Sequence, residues 1–176
     1  MHQNIQRDVT KSDGIEFEVA ALLAEKQIHL TTAESCSGGL IAGTLVNVPG
    51  ISEWFEEGYV TYSNRAKEKL LGVNHETLCS YGAVSSQTAE EMARGAAMAA
   101  QTDAAIAVTG IAGPDGGSAE KPVGLVYISC CCRGKICVQQ HLFSGDRTQV
   151  RMQTVQAAFE LLKDMLHACE ISENEA

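Results

Sequence analysis

Two side chains capable of nucleophilic attack, Ser35 and Cys36, stand in the sequence TTAESCSGG, residues 31–39. A β-branched run precedes them and an apolar helical pattern follows, which is typical of a strand that turns into a helix. The unpaired N–H groups of a helix N-terminus would favour an anionic ligand or an oxyanion. A serine cap beside a small buried cysteine fits the same pattern, so these residues alone leave both interpretations open.

A serine attacks efficiently only when a base removes its proton, and histidine is the usual base. His29 falls inside the predicted first strand, and His75 and His141 lie away from the glycine-rich turns. Lys67, which follows the second predicted strand, is the alternative base, acting directly or through the hydroxyl of Tyr62. The competing interpretation makes Lys67 an exposed helix residue and Tyr62 a core residue.

The cysteines offer a second nucleophile but no metal site. Cys36 would have its thiolate stabilised at a helix N-terminus. Three of the seven cysteines are consecutive at residues 130–132 and would alternate between strand faces, so we expect reduced thiols. No CxxC, HxxxH or HExxH spacing occurs, and we therefore expect no metal.

A third candidate segment is the glycine-rich and proline-rich run TGIAGPDGGSAEKPVG, residues 109–124. An irregular segment of this length is usually functional or disordered. The N–H groups of residues 110–117, the hydroxyls of Thr109 and Ser118, and Arg147 are candidate contacts for an anion. Arg147 could instead form a surface ion pair with Asp146 or Glu120. The P-loop and GxGxxG patterns do not occur, which disfavours ATP and dinucleotide folds.

Composition excludes several classes of partner. The net charge of −9 and the pI of about 5.0 leave no basic surface for nucleic acid or for an anionic membrane. The chain has no run of eighteen apolar residues and no hydrophobic signal region, which favours a cytoplasmic protein. Its 176 residues fit one domain, predicted at residues 13–168 between a leader at 1–12 and an acidic tail at 169–176.

Hydrophobic periodicity predicts strands interleaved with helices. The strands are expected at 28–32, 59–63, 104–108, 123–132 and 136–142. A first helix is expected to begin at the capping pair of Asp13 and Glu16. Further helices are expected at about 36–46, 64–71, 74–81, 85–100 and 148–167. This order predicts a layered α/β/α domain with a mixed, mostly parallel sheet and an antiparallel late strand pair. The segments 35–39, 62–67 and 109–117 would then meet at the carboxyl edge of the sheet and form one site.

Five motifs in order resemble one known family: TTAESCSGG, GYVTYSNRAKEKLLGV, GAVSSQTAEEMARGA, TGIAGPDGGSAEKPVG and FSGDR. They are similar to the C-terminal domain of competence-damage-inducible protein CinA, over roughly residues 15–166. That family includes stand-alone nicotinamide-nucleotide amidases. The family motif more often reads ESCTGG, so Ser37 replaces a threonine and keeps its hydroxyl.

The resemblance implies hydrolysis of nicotinamide mononucleotide to nicotinic acid mononucleotide and ammonia, with no cofactor. It implies Ser35 as nucleophile, Lys67 as base and Tyr62 as a relay or orienting group. We expect the N–H groups of residues 37–39 to bind the oxyanion. The expected substrate-binding residues are Glu34, Cys36, Ser37, Gly38, Gly39, Asn64, Thr109, Gly110, Gly113, Gly116, Gly117 and Arg147.

The partner expected is the mononucleotide, without nucleic acid or membrane, and the chain is expected to form a homo-oligomer. A non-catalytic nucleotide-binding or assembly domain of the same fold is the alternative. No activity of the N-terminal domain found in longer family members is carried over.

Overall fold

Five strands form one sheet in the computed structural model, which describes residues 14–169. The strands are β1 (Leu30–Glu34), β2 (Phe55–Val60), β3 (Ala104–Gly110), β4 (Leu125–Cys132) and β5 (Lys135–Leu142). Their order in the sheet is β2-β1-β3-β4-β5. β1 pairs in parallel with β2 and β3, whereas β4 is antiparallel to both β3 and β5. The expected mixed sheet with an antiparallel late pair is confirmed.

Helices cover both faces of the sheet. They are α1 (Ile15–Lys26), α2 (Leu40–Leu45), α3 (Asn64–Leu71), α4 (His75–Tyr81), α5 (Ser86–Ala100) and α6 (Arg147–Ala168), with a 3-10 turn at Ile51–Glu53. The buried residues of α1, α2 and α6 form one apolar cluster, and those of α3, α4 and α5 form a second. The sheet separates the two clusters, which gives the expected α/β/α layers.

The residues of β3 show why this strand is apolar on both sides. Ile106 and Val108 belong to the cluster beneath α6, whereas Ala105 and Ala107 face α5. Side chains alternate between faces along a strand, so a strand covered on both faces needs apolar residues at successive positions. The small alanines allow the alanine-rich α5 to approach the sheet closely.

The register of the parallel strands brings three strand ends to one edge. Glu34, the last residue of β1, lies opposite both Val60 and Val108. The next residue, Ser35, donates its N–H to the carbonyl of Val108, and Thr61 donates its N–H to the carbonyl of Glu34. The segments that follow β1, β2 and β3 therefore begin side by side, as ligand sites of open α/β sheets require.

Several predicted boundaries were wrong by a few residues. β1 begins and ends two residues later than expected, and β2 spans Phe55–Val60 instead of 59–63. The helix expected from residue 36 begins only at Leu40, because Gly38 (φ 64°) and Gly39 (φ 95°) adopt the left-handed conformation of a turn. Two of the four strand pairs are parallel, and both of them include β1.

The predicted ends of the chain lie largely outside the described residues. Gly14 precedes α1 and makes no side-chain cap, while Asp13, the other expected capping residue, is not among residues 14–169. The predicted leader lies outside this range, and so does the acidic tail except for Cys169. Both remain predictions.

Candidate active site

A cavity of about 230 Å³ lies at the carboxyl edge of β1, β2 and β3. Its walls come from the three segments that follow these strands, from the turn before α5, and from the start of α6. The lining residues are Ser35, Cys36, Tyr62, Lys67, Ala83, Val84, Thr109, Gly110, Ala112 and Arg147. The structure thus brings together the three predicted catalytic residues in one cavity.

Ser35 and Lys67 are in direct contact. Lys67 Nζ donates a hydrogen bond to Ser35 Oγ at 3.0 Å and a second to the carbonyl of Thr61 at 2.7 Å. Both side chains are buried, with 1% of Lys67 and 8% of Ser35 exposed. The Thr61 carbonyl therefore aims the amine at the serine, a role that no side-chain motif could reveal.

Burial lowers the pKa of Lys67 to about 8, from an ordinary value of 10.5. Among residues 14–169 no carboxylate forms an ion pair with this amine to stabilise its charge. Helix α3 explains the burial: Ser63 caps its start by accepting the N–H of Ala66, and Lys67 and Leu71 then share its buried face. A lysine with a pKa near 8 exists partly as a neutral amine at physiological pH and can accept a proton.

The carboxylate of Glu34 organises the turn that carries Ser35. Glu34 is fully buried and accepts four hydrogen bonds. The donors are Ser37 Oγ at 2.7 Å and the N–H groups of Gly39 at 3.0 Å, Ile41 at 3.0 Å and Ala42 at 2.8 Å. The carboxylate thus satisfies the N–H group of the N-cap and two N–H groups in the first turn of α2.

This arrangement corrects the expected roles of Glu34 and Ser37. Neither side chain is accessible, because each is 0% exposed and they are hydrogen-bonded to each other. Their side chains hold the turn and do not line the cavity. The sequence places Glu34 next to Ser35 but does not show which way its side chain points.

The same network changes which N–H groups can face an oxyanion. The N–H of Gly38 donates to the Ser35 carbonyl at 3.2 Å, and the N–H of Gly39 donates to Glu34. The N–H groups of Cys36 and Ser37 have no oxygen acceptor among the described residues. Both lie close enough to the Cys36 sulfur to favour a negative charge there. They replace Gly38 and Gly39 as the candidate oxyanion donors.

Arg151 supports the turn from α6, and sequence reasoning missed it. Its Nη2 donates to the carbonyl of Ser37 at 2.7 Å. Its Nε is buried without a hydrogen-bond partner in the part of the chain that the structure describes. The only signal in the sequence was its position four residues after Arg147, which places both arginines on one side of the helix.

Cys36 lines the cavity but is not activated. Only 6% of the residue is exposed, and burial raises the pKa of its thiol to about 11. The nearby N–H groups and the charge of Lys67 act in the opposite direction but are weaker. The thiol is therefore protonated near neutral pH, which favours Ser35 over Cys36 as the nucleophile.

Tyr62 and Arg147 form the outer rim of the cavity. Arg147 Nη2 donates to Tyr62 Oη at 3.0 Å, and Arg147 Nη1 donates to the carbonyl of Gly113 at 2.9 Å. Tyr62 is 63% exposed, so it is not the core residue of the competing interpretation. The Tyr62 hydroxyl has no hydrogen bond to Ser35 or Lys67 among the described residues. The geometry thus favours direct proton transfer over a relay through Tyr62.

Arg147 is not paired with either carboxylate named as its alternative partner. Within residues 14–169 it forms no ion pair, and Asp146 instead caps α6 by accepting the N–H of Gln149 at 2.9 Å. Arg147 is exposed and reaches the cavity. Its charge remains available to an anionic ligand.

Some of the remaining predicted substrate contacts line the cavity, and others lie on the protein surface. Thr109 and Gly110 line the cavity, although the Thr109 hydroxyl donates to the carbonyl of Ala83 at 2.7 Å. Asn64, Gly116 and Gly117 are exposed and do not line it. The small wall residues Ala83, Val84 and Ala112 were not predicted, because small apolar side chains carry no chemical signature.

Comparison with known proteins identifies the family. Residues 12–166 match the model of the CinA C-terminal domain. The chain belongs to the CinA C-terminal domain family. A protein of Clostridium beijerinckii named "Putative competence-damage inducible protein" is 54% identical over 157 residues. That alignment covers 89% of this chain but only 38% of the relative, so the chain spans less than two fifths of its length.

Solved CinA-family structures match the chain over nearly their whole length. A competence/damage inducible protein of Agrobacterium tumefaciens has 45% identity and a TM-score of 0.81, covering 88% of this chain and 97% of that one. A CinA superfamily protein of Klebsiella pneumoniae has 37% identity and a TM-score of 0.85, with the same coverage. These similarities establish the fold and family, and the names of the relatives specify no reaction.

No helix in residues 14–169 is long and apolar enough to cross a membrane. In the same range no group of three or more His, Cys, Asp or Glu side chains has the arrangement of a metal site.

Proposed function

We propose that this CinA-family domain hydrolyses the carboxamide of nicotinamide mononucleotide to a carboxylate and ammonia, with Ser35 as nucleophile and Lys67 as base. The observation that carries the proposal is the 3.0 Å contact between Ser35 Oγ and a buried lysine with a pKa of about 8. A serine hydroxyl becomes a competent nucleophile when a base at this distance accepts its proton. CinA-family membership is compatible with an amidase of this kind.

The first chemical step is acyl transfer to Ser35. Neutral Lys67 uses one N–H to hold the Thr61 carbonyl and directs its lone pair at the serine hydroxyl. As Ser35 Oγ attacks the carboxamide carbon, its proton passes to Lys67 Nζ, and the carbonyl oxygen becomes an oxyanion. The N–H groups of Cys36 and Ser37 are the donors proposed to stabilise that oxyanion.

The second step releases the products. The protonated Lys67 returns its proton to the amide nitrogen, so the C–N bond breaks and ammonia leaves. Water then attacks the acyl-enzyme while Lys67 again accepts a proton, which regenerates Ser35 and gives the carboxylate. One lysine therefore serves as base and then as acid in each half of the reaction.

The cavity suits the reactive end of a mononucleotide. Its volume of about 230 Å³ is smaller than the ~300–1,000 Å³ usual for drug-sized ligands, so it would enclose the nicotinamide ring and leave the phosphate outside. Arg147 and Tyr62 at the rim are the proposed phosphate contacts, because a guanidinium can donate two parallel hydrogen bonds to an anion. This local charge is needed in a chain whose net charge is −9.

The alternative, a non-catalytic nucleotide-binding domain, does not explain why Lys67 is buried and has a lowered pKa. A shift of the lysine pKa from 10.5 to about 8 corresponds to a cost of about 3 kcal/mol at neutral pH. Binding alone needs neither this cost nor a serine hydroxyl aimed at the amine. A burial cost of this kind is typical of active sites, where function is maintained at the expense of stability.

The test is incubation of the purified protein with nicotinamide mononucleotide, followed by measurement of ammonia. Ser35→Ala should lower turnover by at least about 10³-fold, because the nucleophile is lost, while the fold is kept. Cys36→Ala is the matched control in the adjacent residue and should retain most activity. If Cys36→Ala lost activity and Ser35→Ala retained it, the assignment of Ser35 as the nucleophile would be contradicted.

A further inference from the structure

A second cluster of nucleophilic and basic groups lies on α3 and α4, outside the cavity. Cys79 Sγ lies 3.4 Å from His75 Nε2, and His75 Nδ1 lies 2.7 Å from Glu68 Oε1. The side chain of His75 is 78% exposed and that of Glu68 is 34% exposed. None of the three residues lines the cavity. The proposed amidase reaction makes no use of them.

The local fold holds the cluster in place. Asn74 caps α4 by accepting the N–H of Glu76 at 2.9 Å, so His75 is the first helical residue. His75 and Cys79 are four residues apart and therefore meet on one helix face. The buried side chain of Leu78 anchors α4 to the apolar cluster beneath it.

The carboxylate of Glu91 fixes the start of α4 from the neighbouring helix. It accepts hydrogen bonds from the N–H of Asn74 at 2.7 Å and from Thr77 Oγ1 at 2.6 Å. At the other end of α4, Lys121 Nζ donates to the carbonyl of Tyr81 at 2.6 Å. His75 and Cys79 therefore sit on a helix that is held at both ends.

The order of the three groups determines the direction of proton transfer. A carboxylate can only accept, so Glu68 favours the tautomer of His75 with its proton on Nδ1, which leaves the lone pair of Nε2 facing the Cys79 thiol. A carboxylate, an imidazole and a thiol in this order form the arrangement by which a histidine activates a cysteine. His75 can therefore accept the Cys79 proton as the sulfur reacts.

The other cysteines lack this combination of access and base. Cys79 is exposed, Cys137 is half-buried and the other five are buried. Burial raises the pKa of Cys36, Cys130 and Cys132, which keeps those thiols protonated. Reactive thiols are accessible and close to a basic group, and Cys79 meets both conditions.

We propose that Cys79 is a thiol-modification site that forms mixed disulfides with low-molecular-weight disulfides. The Cys79 proton passes to His75 Nε2 while the sulfur attacks one sulfur of the reagent. A new S–S bond forms, the reagent S–S bond breaks, and the departing thiolate takes up a proton. Cys79 is oxidised by this exchange and half of the reagent is reduced to a thiol. Electrons thus balance without another oxidant.

The helix that carries the modification site is followed in the sequence by residues of the cavity wall. α4 ends at Tyr81 with Gly82 as its C-cap, and the following residues, Ala83 and Val84, line the cavity. The site is nevertheless separate from Ser35 and Lys67, so its reactivity is measurable whether or not the amidase proposal holds.

The test is reaction of the native protein with dithiodipyridine, which carries no negative charge that Glu68 would repel. Release of thiopyridone gives the rate, and peptide mass mapping locates the adduct. We expect one equivalent of thiopyridone to be released rapidly, through reaction at Cys79, and we expect this rapid release to be absent in Cys79→Ser. His75→Asn should slow that equivalent at least about threefold at pH 7, since the base is lost. His167→Asn, at another exposed helical histidine, should leave the rate unchanged.

A second measurement uses glutathione disulfide and the intact mass of the protein. One glutathionyl group should be added to the wild type and none to Cys79→Ser, and a thiol reductant should remove it. Labelling first at Cys137, or equal rates for the wild type and His75→Asn, would overturn the proposal. Far-ultraviolet circular dichroism of each variant checks that the rates belong to folded protein.

Discussion

The candidate site has a buried half and an exposed half, which are held together in different ways. In the buried half, Glu34 and Lys67 are almost inaccessible, and each forms hydrogen bonds to the backbone and to one serine hydroxyl. In the exposed half, Arg147 holds the 63% exposed Tyr62 and the Gly113 carbonyl at the rim. Water competes for every contact of the exposed half, and rigid packing supports the buried half. We infer that the buried half controls the chemical step and the exposed half controls substrate affinity.

The largest effect should come from removing the buried base. Lys67→Met keeps the length of the side chain but cannot accept a proton, so kcat should fall by about 10²- to 10⁴-fold. Ammonia release from nicotinamide mononucleotide measures the change. Lys69→Met, at an exposed position on the same helix, is the control and should stay close to wild type. A fully active Lys67→Met would mean that another group is the base.

Glu34→Gln tests whether the buried half depends on its carboxylate. The amide has only one acceptor oxygen for the four donors, so unfolding free energy should fall by about 3 kcal/mol. Urea denaturation measures the loss. Glu90→Gln removes a carboxylate paired with Arg94 on the surface and should cost less than about 1 kcal/mol. Equal stabilities of the two variants would show that Glu34 does not hold the turn.

Arg147→Ala tests the exposed half and should have a smaller effect. Loss of charged hydrogen bonds to a phosphate should raise KM for nicotinamide mononucleotide roughly 10- to 100-fold, with little change in kcat. Nicotinamide riboside, which lacks the phosphate, should be affected much less. Arg94→Ala on α5 serves as the exposed control. Equal losses on both substrates would place Arg147 in the scaffold.

The sequence predicted best where local signals decide the structure. The helix at Asn64–Leu71 was predicted with correct ends, because Ser63 caps it and Gly72 terminates it. The meeting of Ser35 with Lys67 was also predictable, since each follows a strand and adjacent parallel strands end at the same edge. The pairing of adjacent parallel strands thus brings two separate sequence motifs together in one site.

The sequence predicted least where a tertiary contact decides the structure. The late start of α2 depends on the left-handed turn at Gly38 and Gly39 and on the Glu34 carboxylate that binds its N–H groups, and periodicity does not report such contacts. The bond between Tyr62 and Arg147 joins residues 85 positions apart, so the relay through Tyr62 looked as reasonable as direct transfer. Which N–H groups remain free for an oxyanion likewise follows from the complete hydrogen-bond network.

The most direct test of the central claim is the pH dependence of kcat/KM for nicotinamide mononucleotide, which reports the ionisation of the free enzyme. Lys67 must be neutral to accept the Ser35 proton, and burial lowers its pKa to about 8. The rate should therefore rise about tenfold per pH unit at low pH and level off above pH 8. A profile that is flat from pH 6 to 9, or that rises only near the ordinary lysine pKa of 10.5, would contradict a buried neutral lysine as the base.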